Sequence, residues 1–184
     1  MGKIYLTSDC HFNHLNIIKF GRPFSNIEEM NETIISNWND TVGEEDTVYV
    51  LGDFFMGKHD GIEPILSRLK GHIKLIRGNH DTDARLKKYQ ELGVEYIGTN
   101  SFITYKGKIF ILNHFPLVDE AFYGAIINRD RPDIVFCYGH VHEKPVHWEE
   151  NPYALFHVGV DTNDFTPVPL EKIWKYSERL LDNQ

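Results

Sequence analysis

The chain has 184 residues, a length that suits one domain whose core needs no disulfide or metal staple. Its formal net charge is −8, and a negative field of that size disfavours long nucleic-acid duplexes as substrates. The two cysteines, Cys10 and Cys137, are too few for a disulfide framework, so we expect two reduced, buried thiols. Since the sequence shows no signal-peptide pattern and no apolar run of membrane-spanning length, we expect a soluble cytoplasmic protein.

Short, almost continuously apolar runs predict strands that are covered on both faces. In chain order they lie at 3–9, 46–53, 72–81, 108–114, 133–142 and 155–161. Most of these runs end in a cluster of Asp, Asn or His. The stretch 101–112 predicts a hairpin that turns at Lys106 and Gly107.

Helical patterns separate several of these runs. They cover 25–39, 62–69, 81–92 and, more weakly, 121–127, whereas 147–155 is typical of a loop. Ser25 and Glu28 form a capping-box pattern at the start of the first helix. Asp81 or Thr82 can cap the third helix, which Gly93 ends. Strands that alternate with helices predict an α/β fold.

Paired polar residues stand where two of the predicted strands end. Asp9 and His11 have the spacing i and i+2, which on a strand points both side chains to one side and Cys10 to the other. His140 and His142 repeat this spacing. Because ligands of open α/β sheets bind beyond the carboxyl ends of the strands, we expect these side chains to face one site.

Other polar residues follow glycines, which let the backbone approach closely or adopt a positive φ. Asp53 follows Gly52, and Asn79 follows Gly78. The candidate metal ligands offer carboxylate, amide or imidazole donors: Asp9, His11, Asp53, Asn79, His114, His140 and His142. This set lacks thiolate and suits manganese, iron or zinc better than calcium. It is too large for one tetrahedral ion and predicts a site for two.

The motifs Asp-x-His, Gly-Asp, Gly-Asn-His-Asp, His and Gly-His-x-His occur in this order between Asp9 and His142. In this order they resemble the calcineurin-like metallophosphoesterase superfamily. The opening "SDCHFNHLNII" and the later "GRPF" resemble its small bacterial and phage-encoded members. The resemblance implies a four-layer α/β/β/α sandwich of two mixed sheets flanked by helices, and we expect one domain over residues 1–184.

The resemblance also implies a role for each motif residue. Asp9, His11 and His142 would bind a first ion, Asn79, His114 and His140 a second, and Asp53 would bridge the two. His80 would not be a ligand but the acid that protonates the leaving-group oxygen. The expected cofactors are two divalent transition-metal ions, with manganese preferred over iron, zinc or nickel.

The expected function is a binuclear metal-dependent phosphoesterase. It would hydrolyse phosphodiesters or phosphomonoesters of small molecules or nucleotides by attack of a metal-bridged hydroxide. Two alternatives stay open, a nuclease of the same superfamily and a non-catalytic metal-binding scaffold for protein interactions. The net charge of −8 weighs against the nuclease, and the presence of His80 weighs against the scaffold.

Several residues near the motifs have two interpretations each. His14 contacts substrate or caps a local helix, and Arg22 clamps a substrate phosphate or is an ordinary surface residue. Asp161 orients a histidine ligand or forms a turn. Four aromatic residues line a wall for a base or aryl group, or pack in the core: Phe12, Phe54, Phe55 and Phe115.

Overall fold

The computed structural model describes residues 2–116, 130–142 and 154–182. In these ranges the strands are β1 (Ile4–Thr7), β2 (Thr47–Leu51), β3 (His72–Ile76), β4 (Glu95–Tyr96), β5 (Asn100–Tyr105), β6 (Lys108–Asn113), β7 (Ile134–Tyr138), β8 (Leu155–His157) and β9 (Val168–Pro169). The helices are α1 (Leu15–Lys19), α2 (Ile27–Thr41), α3 (Glu63–Leu66), α4 (Asp83–Glu91) and α5 (Leu170–Asp182). Two 3₁₀ turns lie at His59–Gly61 and Val160–Thr162.

The described strands form two mixed sheets. The first has the order β4-β3-β2-β1-β9, in which β1 to β4 run parallel and β9 is antiparallel to β1. The second has the order β5-β6-β7-β8, in which β5 and β6 form the antiparallel hairpin and the other pairs are parallel. At the hairpin turn Lys106 and Gly107 both have positive φ, as a two-residue turn of this kind requires.

Two core clusters explain how these layers pack. The cluster between the first sheet and helices α2 and α4 includes Met30, Ile34, Trp38, Val48, Val50, Leu75, Leu86 and Tyr89. The cluster that joins the two sheets includes Leu6, Leu51, Ile76, Phe110, Leu112, Val135, Phe156 and Ile173. At the carboxyl edge, an isolated parallel bridge joins Ser8 to Gly159. The ends of both sheets therefore meet along one edge.

The two cysteines lie in different clusters. Cys10 is fully buried with the first and Cys137 with the second, which confirms the prediction of two buried free thiols. Burial raises the pKa of the Cys10 thiol to about 12, so the thiolate is disfavoured. Burial raises the pKa of Cys137 as well.

The prediction of two mixed sheets flanked by helices is confirmed, as are all six predicted strand runs. Helix α5 was not predicted, although its apolar residues recur at helical spacing from Leu170 through Ile173 and Trp174. The predicted helix at 121–127 and most of the predicted loop at 147–155 lie outside the described residues.

The helix ends correct two details. Asn26, not Ser25, caps α2, since its side chain accepts from the backbone N–H of Glu29 at 2.8 Å. Glu29 in turn accepts from the backbone N–H of Ser25. Thr82 caps α4, as one of the two alternatives predicted. Helix α3 is shorter than the predicted 62–69.

Candidate metal centre

All seven predicted ligands lie at the carboxyl edge that the two sheets share. Asp9 and His11 follow β1, Asp53 follows β2, and Asn79 follows β3 of the first sheet. From the second sheet, His114 follows β6, and His140 and His142 follow β7. The strand order brings these loops together, since β1, β2 and β3 are neighbours, as are β6 and β7.

Asp9, His11 and His142 form the first group of candidate ligands, with donor atoms within 4.8 Å of one another. The Nε2 atoms of His11 and His142 are 3.2 Å apart, and each lies 3.9 Å from Oδ1 of Asp9. Asp9 and His11 are each only 1% exposed. These are the three residues that the resemblance implied for the first ion.

A second group lies directly beside the first. It comprises Asp9, Asp53 and His114, again within 4.8 Å. Nε2 of His114 lies 3.5 Å from Oδ2 of Asp53 and 2.9 Å from Oδ1 of Asn79. Nδ1 of His140 lies 3.0 Å from the same Asn79 oxygen. The structure thus brings the residues implied for the second ion, and the implied bridge, into one constellation.

The paired ligands face the site because of a different backbone conformation from the one predicted. Strand β1 ends at Thr7 and β7 ends at Tyr138, so none of the paired residues lies on a strand. Left-handed backbone conformations turn the chain instead, with φ of 58° at Asp9, 50° at His11, 53° at Asp53 and 71° at His140. Such conformations are strained for residues other than glycine and persist where the surrounding structure imposes them.

Glycines allow the loops to approach this closely. Gly52 has φ +90°, and a Cβ there would lie 2.6 Å from Nδ1 of His114. A Cβ at Gly78 would collide with the carboxylate of Asp53. The glycines that precede these ligands therefore have the role predicted for them.

The donor chemistry fits a cation. Oδ2 of Asp9 accepts from the backbone N–H of His140 at 2.8 Å, whereas no donor in the described residues reaches its buried Oδ1. Burial raises the pKa of Asp9 to about 6. A buried carboxylate oxygen without a donor costs free energy that a bound cation would recover.

The histidine tautomers also fit a bound cation. Nδ1 of His114 donates to the carbonyl of Leu51 at 2.7 Å, and Nδ1 of His142 donates to Asp161 at 2.8 Å. In the neutral ring the Nε2 of each therefore carries a lone pair, and both lone pairs face oxygen acceptors. Histidine ligands are commonly oriented by such an acceptor on the other nitrogen.

His80 lies at the rim of this constellation. Its ring is 44% exposed, and its Nε2 lies 3.9 Å from Oδ2 of Asp53. Its backbone N–H donates to the other oxygen of Asp53 at 2.8 Å, which ties the loop after β3 to the one after β2. The ring centroid is 5.5 Å from that of His11. A partly exposed imidazole next to the central carboxylate can exchange a proton with a molecule bound there.

A sequence profile of the calcineurin-like phosphoesterase superfamily domain matches residues 3–160. The chain belongs to this superfamily. It is 39% identical over 187 residues to an uncharacterized protein of Methanocaldococcus jannaschii, a match that covers 97% of this chain and 93% of that protein. It is 27% identical over 186 residues to the gene 66 protein of Mycobacterium phage L5, covering 88% and 87%.

A solved structure gives a third comparison. A protein of unknown function from Aquifex aeolicus is 27% identical, with a TM-score of 0.74 over 95% of this chain and 99% of that chain. Together with the profile match, the comparisons confirm the family prediction and the prediction of a hydrolytic phosphoesterase. The superfamily depends on divalent metals, and the clustered ligands are consistent with that.

Within the described ranges, none of the helices has the length and hydrophobicity needed to cross a membrane.

Arg22 of this phosphoesterase has a different environment from either one predicted. It is 6% exposed, so it is not a surface residue. Its guanidinium pairs with both oxygens of Asp161, at 2.7 and 2.9 Å, and donates to the carbonyls of Asp9 and Cys10. The remaining N–H faces the sulfur of Met30 at 3.5 Å. Because all five donors are used, the predicted contact with substrate is corrected to a structural one.

Asp161 has the orienting role that was one of its two interpretations. Its Oδ2 accepts from Nδ1 of His142 at 2.8 Å while the carboxylate also pairs with Arg22. Burial alone would raise the pKa of Asp161, but hydrogen bonds from His142 and Arg22 outweigh it and hold the pKa below its usual value. The carboxylate is therefore charged and can fix the tautomer of His142.

Asp81 supports the site in a way that the sequence did not predict. It is fully buried and does not cap α4. Its carboxylate accepts from the backbone N–H groups of Asp53 at 2.8 Å, Gly78 at 2.9 Å and Phe54 at 3.3 Å. Asp81 thereby joins the loops that carry Asp53 and Asn79. An Asp next to a helix start fits a cap equally well, so the sequence alone held no signal for this contact.

Replacing Asp81 should therefore destabilise the metal centre and the fold. We expect Asp81→Ala to lower the free energy of unfolding by about 3 kcal/mol or more, because buried backbone N–H groups left without an acceptor cost about 1–3 kcal/mol each. Urea unfolding of the chelator-treated protein measures this without a contribution from metal. The matched control is Asp83→Ala, since Asp83 is 89% exposed and pairs with Arg77. Equal losses in both variants would contradict the role of Asp81.

His14 faces the site. It stands at the N-cap position of α1, but its side chain makes no capping hydrogen bond, so the capping alternative is wrong. Its Nδ1 lies 3.3 Å from Nδ1 of His11, and its ring centroid lies 6.5 Å from that of His80. Burial lowers the pKa of His14, which favours the neutral ring. The predicted substrate contact of His14 stays a prediction.

The four aromatic residues near the ligands separate into two kinds. Phe12, Phe54 and Phe55 are fully buried and belong to the core. Phe115 is 47% exposed, and its ring lies 4.9 Å from that of His114 and 4.7 Å from that of His140, between centroids. Of these four aromatic residues, Phe115 alone lies at the surface beside the site, where the predicted aromatic wall would be.

Proposed function

We propose that this chain is a binuclear metal-dependent phosphoesterase that hydrolyses phosphodiesters or phosphomonoesters of small molecules, including nucleotides. The observation that carries the proposal is the position of Asp53. Its Oδ2 lies 3.7 Å from Nε2 of His11 in the first group of ligands and 3.5 Å from Nε2 of His114 in the second. A single carboxylate oxygen that faces both groups is the arrangement that a bridged pair of ions needs.

The proposed ligand sets are those that the family resemblance implies, and the distances within the site support them. Asp9, His11 and His142 would hold one ion, Asn79, His114 and His140 the other, and Asp53 both. Manganese is the ion proposed first, with iron, zinc or nickel as alternatives, because mixed oxygen and imidazole ligands accept all of them. Two such ions would stabilise negative charge on the phosphoryl group and supply an acidified water as nucleophile.

The protein's own groups would complete the reaction. Asp81 and Asp161 hold the ligand loops and the tautomer of His142, so the site is arranged before substrate arrives. His80 is proposed to donate a proton to the leaving-group oxygen, which matters most for an alkoxide. That role favours alkyl esters and diesters, since an alkoxide is a poor leaving group without a proton.

The substrate proposal rests on what surrounds the ligands. Phe115 is a half-exposed aromatic ring beside His114 and His140, on which a nucleobase or aryl group can stack. His14 offers an imidazole on the His80 side. The net charge of −8 gives no support to long nucleic acids as substrates.

The test is a substrate panel run with metal analysis. The purified protein is stripped with a chelator, reloaded with manganese, zinc, iron or nickel, and assayed on bis-p-nitrophenyl phosphate, nucleotides and single-stranded oligonucleotides. We expect two ions per chain, loss of hydrolysis on chelation, recovery with manganese and turnover of the small esters. Two bound ions without hydrolysis would favour the scaffold alternative. Preferred cleavage of oligonucleotides would favour the nuclease.

A further inference from the structure

Arg22 lies behind the first group of ligands, where it binds the backbone of the loop after β1 and the carboxylate that holds His142. The guanidinium reaches the loop after β1 through two carbonyl oxygens, those of Asp9 at 2.6 Å and Cys10 at 2.9 Å. It reaches His142 through the carboxylate of Asp161. These contacts are mostly buried, and the Arg22 side chain is 3% exposed.

The contacts with the loop after β1 hold a strained backbone. Asp9 and His11 both have left-handed φ values, and the carbonyls that Arg22 binds belong to Asp9 and to Cys10 between them. The two peptide groups that orient these ligands are thereby fixed from one side. Left-handed conformations cost about 1–3 kcal/mol each for residues other than glycine, so they need such support.

The contacts through Asp161 orient the third ligand of the group. The planar guanidinium meets the carboxylate with two parallel hydrogen bonds, a geometry that lysine cannot reproduce. Asp161 then accepts from Nδ1 of His142, which leaves Nε2 of that ring facing Asp9. One arginine therefore sets the backbone of Asp9 and His11 and the ring of His142 together.

The second group of ligands has separate supports. Nδ1 of His114 donates to the carbonyl of Leu51, and the loops of Asp53 and Asn79 are joined by Asp81. The hydrogen bonds found for Arg22 in the described residues include none to Asp53, Asn79, His114 or His140, and its one link to the second group is the carbonyl of Asp9. We therefore expect Arg22 to act mainly on the half of the site that His11 and His142 complete, and to reach the other half only through Asp9.

We propose that Arg22 is a positioning residue that arranges Asp9, His11 and His142 as one metal half-site, and that its loss weakens the binding of one ion selectively. The inference rests on the proposed two-ion function. It goes beyond that function by assigning the two halves separate supports, so that their affinities can be changed independently.

The experiment is a calorimetric titration of Mn²⁺ into chelator-treated protein, with circular dichroism to verify folding. In Arg22→Lys we expect one ion to bind with wild-type affinity and the other 10- to 100-fold more weakly, the range typical for groups that orient metal ligands. Asp161→Asn should weaken the binding of the same ion. This variant takes the place of Arg22→Lys in the titration if Arg22→Lys does not fold. In a His142→Ala background, Arg22→Lys should leave the affinity of the remaining ion unchanged.

The matched control is Arg68→Lys. Arg68 also makes a bidentate pair, with Glu32 at 2.7 and 2.6 Å, but this pair is exposed on the surface. Arg68→Lys should change the affinity of neither ion. If Arg22→Lys lowers the melting temperature of the metal-free protein but binds both ions as the wild type does, Arg22 is only structural and the inference is wrong. Wild-type protein that binds no second ion would instead overturn the proposed function, and this inference with it.

Discussion

His80→Ala is expected to reduce kcat/KM for alkyl phosphodiesters by about 10²- to 10⁴-fold while the protein still binds two ions. The ring of His80 is partly exposed and lies at the rim, with Nε2 3.9 Å from the carboxylate of Asp53. Its backbone N–H, which alanine retains, is the group that holds the loop to Asp53. The substitution therefore removes the imidazole without removing the support of the ligands.

The leaving group distinguishes a proton donor from a residue that only binds substrate. An alkoxide needs a proton in order to leave, whereas p-nitrophenolate leaves readily without one. We therefore expect less than about a tenfold loss with bis-p-nitrophenyl phosphate and the full loss with a matched methyl or nucleoside ester. Steady-state kinetics of both substrates, with metal content measured in parallel, gives the comparison.

His72→Ala is the matched control for this experiment. His72 is an exposed histidine at the amino end of β3, the strand whose carboxyl end leads to His80. It should leave the activity on both substrates unchanged. Equal losses for the two leaving groups in His80→Ala would mean that His80 positions substrate and is not the acid.

The sequence predicted the clustering of the candidate ligands better than it predicted the residues that hold them in place. The candidate ligands stand in short ordered motifs, and it was the family resemblance carried by these motifs that assigned them to two groups. The reason given for Asp9 and His11 was nevertheless wrong, because left-handed loop residues, not strand alternation, aim these side chains. Strand periodicity cannot report where a strand ends to within two residues.

The supports depend on contacts between residues distant in the chain. Arg22 and Asp161 are separated by 139 positions, and Asp81 bonds to Asp53 across 28. Local patterns gave each residue an ordinary interpretation, such as a surface arginine or a helix cap, and nothing local contradicted it. Helix α5 is different, since its apolar periodicity was present in the sequence and could have been found.

Asp53→Asn is expected to abolish binding of the two-ion pair and to reduce hydrolysis more than His80→Ala does. Asparagine keeps the size of the side chain and an oxygen that can accept from the N–H of His80. It removes the negative charge that faces both His11 and His114. Without that charge the oxygen that faces both His11 and His114 belongs to a neutral amide, and the repulsion between the two ions is compensated less.

The same substitution should change stability in opposite directions with and without metal. In the metal-free protein the buried carboxylates of Asp9 and Asp53 lie side by side, and burial is the main cause of the raised pKa of Asp9, to which the charge of Asp53 adds a smaller part. Neutralising one of them removes a buried like-charge contact, so metal-free Asp53→Asn should melt at a higher temperature than metal-free wild type. With saturating Mn²⁺ the order should reverse, because the wild type gains the binding free energy of two ions.

Thermal unfolding in chelator and in Mn²⁺ gives the four melting temperatures that this comparison needs. Asp60→Asn is the control, since Asp60 is exposed in the 3₁₀ turn after the Asp53 loop and belongs to neither ligand group. Asp60→Asn should leave the melting temperature unchanged both in chelator and in Mn²⁺. If Asp53→Asn lowers both temperatures equally, the carboxylate is a structural hydrogen-bond acceptor. If metal raises the melting temperature of the variant as much as that of the wild type, Asp53 does not bridge the ions.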